Sequence, residues 1–77
     1  MSHNKPKSWY WTIEKDLAVL HEGFNRPASY NKDSLEWALK NIKSSRQHYS
    51  TQEAWLKNVE KYEIGLATLL NAQKKQS

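Results

Sequence analysis

Apolar residues recur along this chain at intervals of three and four. Ile13, Leu17, Leu20 and Phe24 fall at spacings of four, three and four, which places them on one face of a helix. Trp9 extends that stripe four residues upstream. The pattern predicts a first helix over 12–24, with a start as early as residue 8. Thr12 is its expected N-cap, and Glu14 and Asp16 put negative charge in the first turn, where the macrodipole favours it. Gly23 and Asn25 stand near its expected end. A second stripe of Leu35, Ala38, Leu39, Ile42 and Tyr49 predicts a helix over 33–47, capped by Asn31 or Asp33. A third stripe holds Trp55, Val59, Tyr62, Leu66, Leu69 and Leu70. It predicts a helix that opens on a capping box from Ser50 to Glu53. Running to residue 73, that helix is roughly 35 Å long at 1.5 Å per residue.

No strand pattern stands out, because the β-branched residues are few and scattered. Punctuation is sparse. Pro27 marks the clearest loop, over 25–31. Gly65 interrupts the third stripe at a cost of about 1 kcal/mol relative to alanine. Either another backbone packs closely there, or the helix bends or stops. The expected fold is all-α: one small three-helix domain over 9–73 with a long C-terminal helix. A loose basic tail over 1–8 precedes it, and residues 74–77 are expected to fray.

Composition sharpens this picture at two points. At 77 residues with no cysteine, the chain has no disulfide or thiolate zinc site to reinforce a marginal core. Four Trp, four Tyr and one Phe compensate, since each ring buries on the order of 150–250 Å². The net charge is +4, which suits an anionic partner and equally an ordinary soluble domain. No apolar run is long enough for a signal segment or a membrane span, so the expected location is the cytoplasm and a membrane is not an expected partner.

Catalytic chemistry finds no support. His3, His21 and His48 are far apart and form no metal-binding pair, and there is no phosphate loop or nucleophile elbow. Glu14, Asp16 and Glu22 read as a solvated face. No enzyme activity, metal site or cofactor is expected. The stronger feature is basic. Residues 37–52 contain no acid, and Lys40, Lys43, Arg46 and His48 lie among them, with Lys57 and Lys61 following. Such a surface suits phosphates; alternatively, it is a polar face whose positive end complements a helix dipole. Trp37 is the sharper anomaly. It sits about 200° from Leu35 on the helical wheel, beside Lys40, Asn41 and Ser44. There it is either buried in a second internal contact or exposed for a partner. Leu56 and Ile64 also fall off the main stripe, which invites a protein partner or a homodimer that would offset the small core.

The stretch WTIEKDLAVL resembles the opening of Myb/SANT-type helix-turn-helix domains. Trp11, Thr12, Glu14, Asp16 and Val19 match that pattern in place. The interval to the second family aromatic points near Tyr30, but Asn31, Lys32 and Asp33 replace the apolar residues that should follow. The resemblance covers about a dozen residues. It implies DNA binding, with the segment around Gln52, Lys57 and Asn58 standing in for the recognition helix; the family also includes members that bind proteins. Two functional expectations result. The first is a small regulatory protein that binds nucleic acid through Lys40, Lys43, Arg46, His48, Lys57 and Lys61. The second is a protein-interaction module (inhibitor, adaptor or immunity-type antagonist) that occludes a partner through Trp37, Leu56 and Ile64.

Overall fold

A computed structural model describes residues 9–76; the expected tail over 1–8 and Ser77 lie outside the described residues. The chain forms strands β1 (Trp9–Glu14), β2 (Leu17–Glu22) and β3 (Ala28–Tyr30), then helices α1 (Lys32–Lys43) and α2 (Gln52–Gln76), with one 3₁₀ turn (Arg46–His48) between the helices. The fold is therefore α+β. The expected all-α three-helix bundle is corrected at its first element, since the expected helix over 12–24 is a β-hairpin that carries Trp11 to Leu20.

The reason lies in a degeneracy of spacing. Residues four apart share a face in a helix, and they also share a face in a strand. Trp9 and Ile13 satisfy both periods. What decides is the alternation of WYWTIE, in which Trp9, Trp11 and Ile13 are half-buried and Tyr10, Thr12 and Glu14 are exposed. Aromatic and β-branched residues suit such a pleated, half-buried surface. Ile13 and Leu17, neighbours on the supposed helix, lie on opposite faces of the sheet, because Ile13 pairs with Ala18 and Leu17 pairs with Glu14. Phe24, which closed the helical stripe, is fully exposed.

The sheet is an antiparallel meander in the order β1-β2-β3. Lys15 and Asp16 make a two-residue hairpin loop, and Lys15 adopts φ 57°, as the twist-compatible hairpin turns require. β2 is central, which explains its continuous buried run Ala18, Val19 and Leu20. One face of the sheet carries Trp9, Trp11, Ile13, Ala18, Leu20, Glu22, Ala28 and Tyr30, as the register dictates. Both helices pack on that face, α2 over β1 and β2 and α1 beside β3.

α1 begins at Asn31, whose side chain accepts the Ser34 N–H at 2.8 Å. It stops at Ser44 and Ser45, whose hydroxyls donate to the carbonyls of Lys40 and Asn41 and so satisfy terminal acceptors. α2 begins one residue later than the expected capping box, with Thr51 Oγ1 accepting the Ala54 N–H at 3.1 Å. It also runs past residue 73, through Lys74 and Lys75 to Gln76. The two helices form a hairpin pinned by Trp55, whose Nε1–H donates to the Ile42 carbonyl at 2.8 Å. Ala18, Leu35 and Leu69 are the fully buried centre, enclosed by Trp11, Ile13, Tyr30, Tyr62 and Leu66.

Candidate functional site

Two regions hold most of the residues singled out by sequence. The first joins β1 to α2. The Trp11 ring packs against Gly65, where an added Cβ would stand 2.5 Å from ring atom Cε2 and 2.7 Å from Cη2. Glycine is there because only a backbone without a side chain lets the indole approach, so α2 continues unbroken through it. Trp11 Nε1–H donates to the Lys61 carbonyl at 3.0 Å. The Lys61 ammonium meets Glu22 Oε2 at 2.7 Å and sits 5.5 Å from the Tyr62 ring centre, a cation–π distance. Tyr62 stands edge-on to both Trp11 and Tyr30, and its hydroxyl is 3.3 Å from that of Tyr30. Burial, and then the hydrogen bond to Tyr30, pushes the Tyr62 phenol well above the usual tyrosine range. Among the described residues, every buried side-chain nitrogen and oxygen has a partner.

The second region is the outer face of α1 and the turn beyond it. Trp37, Lys40, Asn41 and Ser44 follow one another at helical spacings and all are exposed, with neighbouring Cβ atoms about 5–6 Å apart. Trp37 is 68% exposed and has no hydrogen bond or ring contact among the described residues. An open groove beside it is lined by Ser29, Tyr30, Asp33, Ser34 and Ala38. Arg46 donates from Nη1 to the Tyr49 carbonyl at 3.3 Å, and His48 ends the 3₁₀ turn in solvent.

The six basic residues expected at a nucleic-acid surface thus separate. Lys40, Arg46, His48 and Lys57 are exposed, and none has a carboxylate partner among the described residues. Lys43 is exposed but paired with Glu63 at 3.5 Å. Lys61 is only 8% exposed and belongs to the β1–α2 joint, not to the solvent-facing basic set. Among the three apolar residues expected at a partner surface, Trp37 and Leu56 are exposed and Ile64 is half-buried. Leu56 lies on an outer stripe of α2 with Glu53, Glu60, Glu63, Ala67 and Leu70, all exposed.

Sequence reasoning missed the opposite face of the sheet. Tyr10 stacks on His21 with ring centres 4.5 Å apart, and Thr12 Oγ1 is 2.9 Å from His21 Nε2. The alternation of residues 9–14 was the signal that would have placed Tyr10 and Thr12 on one face; His21 joins them through the strand register, which pairs it with Tyr10. The Glu22–Lys61 pair, 39 residues apart, left no such local trace. Among the described residues no cluster of His, Cys, Asp and Glu could hold a metal ion, and no helix is long and apolar enough to cross a membrane. Comparison with known proteins returned no match to a family model, a curated protein or a solved structure, so nothing from it bears on the Myb/SANT resemblance.

Proposed function

We propose that this is a small, non-enzymatic cytoplasmic protein that binds nucleic acid through the outer stripe of α1 and the turn that follows it. The observation that carries this reading is the sorting of the cations. Glu22, Glu36 and Glu63 take up Lys61, Lys32 and Lys43. Lys40, Arg46, His48 and Lys57 are left without carboxylate partners among the described residues. Lys40 is three residues from the end of α1, and Lys57 is five from the start of α2. At 1.5 Å per residue, both lie within about 8 Å of the turn between the helices. That end of the molecule therefore concentrates positive charge next to hydroxyl and amide donors, which suits phosphate contacts.

Fluorescence anisotropy with random-sequence oligonucleotides, at low and at physiological salt, tests this. With three to four cations engaged, log K should fall with log salt at a slope of about −2 to −4. Paired reversal, Lys40→Glu with Arg46→Glu, should weaken binding at least about tenfold, since each lost phosphate contact removes both attraction and counterion release. Helical signal and melting should stay unchanged. Unaltered binding by that variant overturns the reading.

A second reading rests on the outer stripe of α2, where Leu56, Ala67 and Leu70 share a face with Glu53, Glu60 and Glu63. Its acids repel phosphate, and its exposed apolar residues suit a protein, including a second copy of this chain. A dimer mass in solution that reverts to monomer with Leu56→Glu is the expected sign; a monomer at high concentration leaves only an unlike partner for this face.

A further inference from the structure

We infer that α1 takes single-stranded nucleic acid, with an unpaired base stacked on the Trp37 indole and the adjoining phosphate held by Lys40. The inference rests on the nucleic-acid reading above and names the form of the ligand.

Trp37 stands apart from two of the other indoles. Trp11 and Trp55 are half-buried, and each gives its N–H to a backbone carbonyl. Trp37 gives its N–H to no described residue, and its ring contacts no other ring. Its surroundings decide the occupant. An indole that anchors a protein interface is set among contacts that exclude water around it. Here the next positions along the stripe are Lys40, Asn41 and Ser44, all polar and exposed. An aromatic platform one helical turn from a cation and an amide is the combination that binds single strands. The ring takes a base face of any identity, the cation takes the phosphate, and the amide reaches a base edge. Ser44 lies about 10 Å along the axis from Trp37 at 1.5 Å per residue, and Arg46 follows it, so the backbone has a second cation beyond the first. On the far side Asp33 lines the groove and turns the phosphates toward Lys40. In a duplex the base faces are covered by their neighbours. An indole on the side of a regular helix has no face to meet there without unstacking the pair.

The test uses the full chain and one random 12-nucleotide sequence in three forms: single-stranded DNA, single-stranded RNA and duplex DNA. Anisotropy at low salt should show tighter binding to single strands than to duplex. Trp37→Ala should weaken single-strand binding about tenfold or more, the usual effect of removing one stacking ring, and change duplex binding little. Trp37→Phe should recover part of the loss. Tryptophan emission should be quenched by single strands in the native protein and much less in Trp37→Phe. The paired reversal at Lys40 and Arg46 should weaken all three forms. If it does so while Trp37→Ala binds single strands as the native protein does, stacking is overturned and the nucleic-acid reading stands. Equal losses on single strands and duplex with Trp37→Ala also overturn stacking. If no form binds at low salt, both the stacking inference and the nucleic-acid reading are overturned.

Discussion

The β1–α2 joint and the outer stripe of α1 are built from the same materials, an indole, a lysine and nearby hydrogen-bonding groups, with opposite results. In the joint, Trp11 gives its N–H to Lys61, and Lys61 gives its ammonium to Glu22. In the stripe, Trp37 and Lys40 give theirs to no described residue. The difference comes from what faces each group. Gly65 removes the side chain that would hold an indole off α2, and β2 supplies a carboxylate at the right register. Among the described residues, no hydrogen-bonding or ion-pair partner stands against Trp37 and Lys40 on the outer side of α1 to do either. A polar group in the joint must be satisfied because it is withdrawn from water. One on the stripe is satisfied by solvent and can exchange solvent for a ligand.

The comparison breaks most sharply at Gly65. Gly65→Ala puts a methyl group into the Trp11 ring, and overpacking of this kind costs about 1–3 kcal/mol. In a domain of this size each kcal/mol lowers the melting midpoint by about 4–8 °C, so a thermal melt followed by circular dichroism should show a fall of at least several degrees. An unchanged midpoint would mean that the indole moves aside freely. Next is Glu22→Gln, which keeps an acceptor for Lys61 but removes the charge. Losing one partner of a fully buried pair costs about 3–5 kcal/mol. Glu22 is itself 39% exposed, so about 1–2 kcal/mol is expected from urea unfolding, scaled down for solvent screening.

Alkaline pH probes the same joint more gently. The Tyr62 phenol is raised above its ordinary value of 10.0, so the folded state holds the proton more tightly than the unfolded chain. Its contribution is complete below about pH 10 and is lost as pH climbs beyond it. Stability measured from pH 9 to 11 should decline, and Tyr62→Phe should flatten that decline. The smallest effect belongs to the stripe: Trp37→Ala should change stability by less than about 0.5 kcal/mol, as surface substitutions do. A larger loss would show that Trp37 supports the fold after all.

Much of the second half of the chain was legible. α1 begins one residue before and ends four residues short of the helix expected over 33–47, α2 begins two residues after the expected opening at 50 and runs three past the expected end at 73, and Asn31 caps the first of them. The local signals there are strong: long stripes, a cap, and few residues that favour strands. Gly65 announced an anomaly, but its expected partner, another backbone, is corrected to the Trp11 ring, and the helix neither bends out of register nor stops there. The first half was not legible as read, because a four-residue spacing serves strand and helix alike and the alternation from Trp9 to Glu14 carried the decisive information. At the candidate site, the displacement of Trp37 from the apolar stripe was visible on the wheel. The withdrawal of Lys61 was not, since it depends on a strand register that brings Glu22 across 39 residues.

The bond from Trp11 to Lys61 spans 50 residues, and this separation shapes how the native state is reached. The β1–β2 hairpin needs only a two-residue loop and closes on the order of 1–10 μs. Such a hairpin is marginal alone, and its inner side presents Trp9, Trp11, Ile13 and Leu20 to water until α2 returns. Bringing α2 back closes a long loop before any contact rewards it. The slow step is therefore docking, not strand pairing. In the interval before it, the early sheet offers a bare aromatic face and two open edges to other chains, so the folding yield of this protein should fall with concentration even where its final stability does not.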